Sequence, residues 1–274
     1  MTNPYFGDLG DIWKHLPLAE ILRLNPPRHY WETHAGSASY PLTVSPERLH
    51  GVLRFLDYAA DEPALQECAY LQALRELPDV YPGSPMLAMR ALGKKASYIF
   101  CDIDPESAAN LRTKATGLDA RVVEDDGVSA IADEIQHTSS EPGDVLVLID
   151  PFLPFERITP DSQTPIELGA ALAAAGYRLM FWYRYDTIDQ RGWARDQLAS
   201  LVPGVELWCG DTLMPAPFIF PNGSGPWGCG IVLANATPAE QSACQWLGYA
   251  LERISASDLL SDNIPPRLSF QLVR

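Results

Sequence analysis

Long apolar runs are missing from this sequence. No apolar stretch reaches the roughly 18 residues that a membrane-spanning helix needs. The opening segment, residues 1–8, has neither a basic run nor an apolar one, so no signal peptide is read there. Five cysteines (Cys68, Cys101, Cys209, Cys229, Cys244) are scattered, with no CxxC and no Cys/His pair at zinc spacing. Neither a disulfide framework nor a metal site is expected; free thiols in a reducing cytosol fit, giving a cytoplasmic location. Positive charge is scarce: Lys+Arg total 20 against 35 Asp+Glu, a net charge of −15. A basic nucleic-acid binder has the opposite balance. Repeats, heptads and low-complexity tracts are absent. What remains, 274 residues with 47% hydrophobic and 20% charged, is the composition of a globular chain with length enough for a sizeable core.

Short apolar runs bounded by turn residues mark the strands of a mostly parallel sheet. Val145–Ile149 is the clearest, between Pro142-Gly143-Asp144 and Asp150-Pro151. Ser97–Cys101, Leu179–Tyr183, Gly230–Ala234 and the shorter Tyr30–Glu32 follow the same pattern, with Ala120–Val123, Val205–Trp208 and Arg267–Leu272 as further strands. Helical segments alternate with them: Pro105 to about Thr116, Val128–Ile135, Leu168–Ala175, Asp189–Leu201 and Pro238–Ile254. Strand–helix alternation of this kind predicts a doubly wound α/β fold. One region breaks it. Residues 36–102 carry helix-like patterning and little strand signal before Ser97, which reads as a helical insertion at about 41–82 within a single domain, 1–274.

Ligands of open α/β sheets bind at the carboxyl ends of the strands. The first strand ends in small residues, Thr33-His34-Ala35-Gly36, which let backbone N–H groups approach a polar ligand. The second ends in Asp102, suited to the two hydroxyls of a ribose. The third ends in Asp126-Gly127, where a carboxylate can accept from an adenine amino group, and the fourth in Asp150-Pro151. Taken singly, each Asp reads equally as a helix cap, Asp104 before Pro105 above all. The sequence has neither GxGxxG nor a Walker lysine. A nucleoside cofactor without phosphates, S-adenosylmethionine, therefore fits better than a dinucleotide or nucleotide triphosphate.

Several motifs, in order, resemble one family. Gly7-Asp8-Leu9-Gly10-Asp11-Ile12-Trp13-Lys14-His15 is similar to its glycine–aspartate–lysine–histidine motif, and Glu32-Thr33-His34-Ala35-Gly36-Ser37-Ala38-Ser39-Tyr40 to its cofactor loop. Tyr81-Pro82-Gly83-Ser84-Pro85, Glu124-Asp125-Asp126-Gly127 and Leu148-Ile149-Asp150-Pro151 follow. The chain thus resembles the bacterial large-subunit ribosomal RNA adenine-N6 methyltransferases, enzymes of the class I S-adenosylmethionine-dependent fold. The resemblance implies a seven-stranded, Rossmann-like sheet. It implies that Lys14, His15, His34, Gly36, Ser84, Asp102, Asp126, Gly127 and Asp150 form the cofactor site. Asp150 is implied as the catalytic carboxylate. An adenine-type amino nitrogen delocalises its lone pair into the ring, and a carboxylate accepting one N–H restores its nucleophilicity. Tyr5, Pro151, Phe152 and Phe155 are implied as the residues next to the acceptor.

The departures bear on that acceptor. The family's Asp-Pro-Pro-aromatic motif here reads Asp150-Pro151-Phe152-Leu153, and residues 1–6 contain no Lys or Arg. With the net charge of −15, which opposes phosphate binding, these favour a small-molecule acceptor, methylated on N or O, over RNA. An adenine of ribosomal RNA stays as the alternative acceptor, served by local basic clusters at Arg90, Lys94 and Lys95 or at Arg184, Arg191 and Arg195. The altered motif also admits a protein that binds or converts S-adenosylmethionine without methylating. The aromatic strand end Met180–Tyr185 reads as core or as a wall of the acceptor pocket. The Pro/Gly-rich segment 212–230 reads as a loop over that pocket.

Overall fold

A computed structural model describes residues 6–214, 227–256 and 267–273. Its main sheet starts from strands that are buried on both faces and therefore read as continuous apolar runs: β1 (His29–Glu32), β4 (Ser97–Cys101), β6 (Val145–Ile149) and β7 (Arg178–Tyr185). Two three-residue strands, β2 (Ser39–Pro41) and β3 (Val80–Pro82), pair with each other in a separate antiparallel ribbon. The remaining strands are β5 (Asp119–Val123), β8 (Leu207–Met214), β9 (Trp227–Ala234) and β10 (Arg267–Val273).

The sheet order is β10-β8-β9-β7-β6-β1-β4-β5. From β5 to β7 every pairing is parallel; β9, β8 and β10 then pair antiparallel to their neighbours. The sheet holds eight strands against the seven that the resemblance implies; β10, paired along its whole length with β8, is the additional edge strand.

Two layers of helices cover it. On one face lie α8 (Gly127–His137), α9 (Pro165–Ala174) and α10 (Trp193–Leu201). On the other lie α1 (Leu9–Leu24), α6 (Ser84–Leu92), α7 (Pro105–Lys114) and α11 (Pro238–Ala256). Helix α10 begins at Trp193, four residues later than the sequence pattern suggests, because Gly192 turns the chain at φ +80°. Between β2 and β3 stand four short helices, α2 (Pro46–His50), α3 (Val52–Ala59), α4 (Pro63–Gln66) and α5 (Ala69–Arg75). Gly51 separates α2 from α3. A Cβ there would lie 2.0 Å from the Gly7 carbonyl oxygen, so the insertion packs backbone to backbone on the entry to α1.

Helix α1 has no apolar stripe to announce it. Nearly all of it is buried, from Leu9 to Leu22 apart from Asp11, and Pro17 sits inside it. A helix covered on every side loses amphipathic periodicity. Its Trp13 donates to the Gly210 carbonyl of β8 at 3.1 Å, and Lys14 and His15 point to the sheet's carboxyl edge. All five cysteines are free and buried. Among the described residues no helix is long and apolar enough to cross a membrane.

Candidate active site

The N-terminal turn of α1 carries the buried charges. Asp8 caps the helix, accepting from the Asp11 amide at 2.8 Å. Asp11, Lys14 and His15 follow at i, i+3 and i+4 and so share one face. The Lys14 ammonium lies 2.9 Å from Asp11 Oδ1 and 2.6 Å from Asp150 Oδ2, with little of any of these side chains exposed. Burial alone would lower the lysine pKa, but the two carboxylates hold it well above its usual range. Burial pushes Asp150 up to about 6 against the opposing pull of Lys14, and Asp8, buried beside Asp11, up to about 7. At neutral pH Asp150 is therefore a carboxylate, ion-paired and fixed in position.

Beside this cluster His15 is held by tyrosines. Tyr70 donates to the Tyr81 hydroxyl at 3.3 Å, which leaves the Tyr81 proton for His15 Nδ1 at 2.8 Å. Burial lowers the His15 pKa to about 3, so the ring is neutral. With Nδ1 accepting, Nε2 carries the hydrogen. Nε2 is enclosed and has no partner among the described residues. Below it, Glu32 at the end of β1 receives the hydroxyls of Ser84 and Tyr30, and burial raises its pKa to about 8.

The ends of β1, β4 and β5 complete the site. Gly36 turns at φ +61° and donates to Asp102 Oδ2 at 2.6 Å, while Asp102 Oδ1 accepts from Asp104 N at 2.8 Å. Asp126 caps α8, accepting from Val128 N at 3.1 Å, Ser129 N at 3.2 Å and the Ser129 hydroxyl at 2.5 Å. A Cβ on Gly127 would stand 1.8 Å from the Thr33 carbonyl oxygen, so only glycine lets these two loops meet. His34 is kept neutral by burial, its pKa near 4, and shares a 2.7 Å hydrogen bond with Thr33.

These elements enclose one cavity of about 400 Å³, within the range of small-molecule sites. Lys14, His15, His34, Gly36, Ser84, Asp102, Asp126, Gly127, Asp150 and Phe152 all line it. Pro151 is buried behind it and Phe155 lies outside it, edge-on to Trp193 at 5.9 Å. Tyr5 and most of the 212–230 segment fall outside the described residues. Phe6 lines the cavity, but its ring is engaged by Tyr40 at 4.6 Å and by the Arg48 guanidinium at 4.3 Å. Asp8, Asp11, Tyr81, Ile103 and Ile158 join the lining without a role of their own in the sequence reading, while Trp182 and Arg184 belong to the strand end Met180–Tyr185 that reads as core or as a wall of the acceptor pocket. For Asp11 the i, i+3 spacing to Lys14 is a usable signal; along β7, Trp182 and Arg184 alternate onto the cavity side of the sheet's carboxyl edge.

The cavity lining is acidic, with Asp8, Asp11, Asp102, Asp104, Asp126 and Asp150 against Lys14 and Arg184. Its mouth is apolar: Ile103, Phe152 and Ile158 line it and are exposed, Phe152 by 74%. Neither basic cluster forms a phosphate-ready patch beside it. Lys94 and Lys95 precede β4, at the opposite end of the sheet, and Arg90 pairs with Glu76. Arg184 pairs with Asp186, Arg195 with Asp196 and Asp211, and Arg191 bonds Ser269.

Among solved structures, the chain is similar to protein LPL1258 of Legionella pneumophila, at TM-score 0.75 and 19% identity over 98% of each chain. It also matches an S-adenosylmethionine-dependent methyltransferase of Agrobacterium tumefaciens (TM-score 0.44, 9% identity, 83% of this chain and 62% of that one). A putative class I methyltransferase of Listeria monocytogenes follows (TM-score 0.39, 12% identity, 87% and 61%). No curated protein matches. The family model described as ribosomal RNA large subunit methyltransferase D, RlmJ, matches residues 25–184, which leaves α1, with Lys14 and His15, outside the matched span. That span is more than half of the 274 residues, and the chain belongs to the RlmJ family as an S-adenosylmethionine-dependent methyltransferase with the class I fold.

Proposed function

We propose that the chain methylates the exocyclic amino nitrogen of an adenine in large-subunit ribosomal RNA, with Asp150 as the carboxylate that receives an N–H of the amine. The observation that carries this reading is the buried Asp150–Lys14 pair, 2.6 Å apart at the wall of the cavity, on the position of the amino-methylating motif. The acceptor follows from the family to which the chain belongs.

The lining fits S-adenosylmethionine. An enclosed, unpartnered His15 Nε2–H suits the carboxylate of its methionine part, and the surplus of carboxylates suits its cationic sulfonium and ammonium. Asp102 keeps a free lone pair on each oxygen for the ribose hydroxyls, and His34, Asp126 and Gly127 stand where the adenine would lie. Ser84 contributes through its hydroxyl oxygen, its proton being given to Glu32. When bound, the cofactor supplies an electrophilic methyl group on sulfur.

Asp150 performs two tasks at the acceptor. Its oxygen accepts one N–H bond, which draws the amino nitrogen out of conjugation and aims its lone pair. It then takes the proton that the nitrogen sheds on methylation, a transfer matched to a carboxyl that titrates near 6. Lys14 keeps that carboxylate ionised and stops it rotating away. Phe152 and Trp182 offer flat faces to a planar acceptor, and Pro151 and Phe155 support the Phe152 loop without lining the cavity.

A second reading, a small planar acceptor, is favoured by the net charge of −15, by the apolar mouth and by rim arginines engaged with partners of their own. One experiment separates the two. Wild type and Asp150→Asn are incubated with radiolabelled S-adenosylmethionine and either protein-free large-subunit ribosomal RNA or a panel of free nucleosides. Label recovered as N6-methyladenine in the RNA, lost in the variant, supports the first reading. Label in a nucleoside alone supports the second, and label in neither refutes both.

A further inference from the structure

The indole nitrogen of Trp182 is enclosed and has no hydrogen-bond acceptor among the described residues. Leaving such a donor without a partner is costly, so enclosed donors are as a rule satisfied by protein, ligand or water. Trp182 lines the cavity. Its place in the sheet sets what it meets there. The β6–β7 register pairs Ile149 with Phe181, so one step further along both strands Asp150 stands beside Trp182. Neighbouring strands run roughly 4.8 Å apart. Both side chains lie on the α1 face, because Lys14 touches both: its ammonium is 2.6 Å from Asp150 and 5.4 Å from the Trp182 ring centroid. An ionised carboxylate only accepts hydrogen bonds and an indole N–H only donates. An acceptor and an unpartnered donor thus stand on neighbouring strands at the cavity wall.

We infer that Trp182 reads the ring nitrogen next to the amine-bearing carbon of the acceptor, so that the enzyme selects an amidine edge, N=C–NH₂. The amine donates to Asp150 and the ring nitrogen accepts from Trp182. This deepens the proposed function and rests on Asp150 being the partner of the amine. Adenine offers the edge as N1, C6 and N6, and cytosine as N3, C4 and N4. An aniline lacks the ring nitrogen, and an aliphatic amine lacks both it and the plane. An adenine read at N1 has its Watson–Crick edge occupied, so it must be unpaired and turned out of any helix when methylated.

The test uses the full chain saturated with S-adenosylhomocysteine and three probes: adenosine 5′-monophosphate, its 1-deaza analogue and its 7-deaza analogue. The Trp182 indole N–H signal, assigned by its loss in Trp182→Phe, moves downfield with the first and third probes and stays with the 1-deaza analogue. In parallel, Trp182→Phe lowers kcat/KM for RNA about tenfold, the worth of one hydrogen bond, with the KM for S-adenosylmethionine unchanged. Equal shifts with all three probes, no shift with any, or wild-type turnover by the variant overturns the inference. The probe series is run on the wild type, so a misfolded variant does not blunt it. Wild-type turnover by Asp150→Asn would instead show that the proposed role of Asp150 has failed, and the Trp182 reading with it.

Discussion

At the end of the cavity near β4 and β5, the carboxylates of Asp102, Asp104 and Asp126 are spent on backbone N–H groups and hydroxyls; at the end near β6 and β7, those of Asp11 and Asp150 are spent on a lysine. The first arrangement builds loops and helix starts. Removing one of those carboxylates changes the shape of the site along with its chemistry. The second builds a charge cluster between α1 and β6 in which Asp150 meets Lys14 side chain to side chain, while Asp11 accepts from the Gly7 amide at 2.8 Å as well as from Lys14. Under the proposed function, the first is the cofactor end, where chemistry and scaffold are fused, and the second the acceptor end, where Asp150 and Lys14 leave them separable.

The largest effect that would sharpen this contrast comes from Asp150→Asn. Methyl transfer falls about 10³-fold, the size of effect seen when one preorganised electrostatic group is removed. S-adenosylhomocysteine affinity by calorimetry stays within about threefold. A parallel collapse of cofactor binding would break the contrast.

Lys14→Met comes next. It leaves Asp11 and Asp150 buried without their cation, a change that costs about 3–5 kcal/mol when one partner of a buried pair is removed. Urea denaturation shows the loss, and the double variant Lys14→Met/Asp150→Asn recovers part of it.

The third effect is on pH. In the proposed function Asp150 works as a carboxylate, and its pKa is raised to about 6, so protonation below that value is expected to remove activity. The rate falls about tenfold per pH unit on the acid side of 6. In Lys14→Met the limb moves to higher pH, because the group that lowers the Asp150 pKa is gone.

At the cofactor end, Asp126→Ala and Asp126→Asn are the informative pair. Alanine removes the cap of α8 at about 1 kcal/mol, whereas asparagine keeps it. Cofactor binding weakened about tenfold in both, with only alanine lowering the melting temperature, assigns Asp126 both roles. Unchanged binding in Asp126→Asn leaves it as a cap. The smallest effect expected is that of Tyr81→Phe. It frees the His15 tautomer and weakens cofactor binding about threefold by calorimetry, the price of an imidazole no longer held with Nε2–H outward.

The cofactor end was the more legible from sequence, for the same physical reason. Asp102 stands one residue beyond β4, whose unbroken apolar run marks a strand buried on both faces, and Asp126 three residues beyond the neighbouring edge strand β5; a strand end is where such a sheet binds ligands. The acceptor end joins residues far apart in the chain. Lys14 and Asp150 are separated by 136 positions, and the helix that carries Lys14 is buried on nearly every side and so leaves no periodic trace. Motif resemblance, not periodicity, brought Lys14 and His15 forward. The ribbon β2–β3 escaped because three-residue strands are too short to alternate visibly. Phe155, implied beside the acceptor, packs edge-on to Trp193 outside the cavity instead, since the chain after Pro151 carries it past the mouth.

The buried thiols give the fold a set of internal clocks. Cys101 and Cys209 belong to the core under α8–α10, and Cys68, Cys229 and Cys244 to the core under α1 and α11. Cys101, Cys209, Cys229 and Cys244 are closed off while both layers stay on the sheet, whereas Cys68 caps α5 and is 5% exposed; burial raises the Cys68 thiol to about 11 and those of Cys101 and Cys229 to about 12, which suppresses their nucleophilicity in place. Labelling of the other four by a thiol reagent therefore waits for a layer to lift from the sheet, and peptide mapping of which of them reacts first tells which side opened. The rate reports how often that layer breathes.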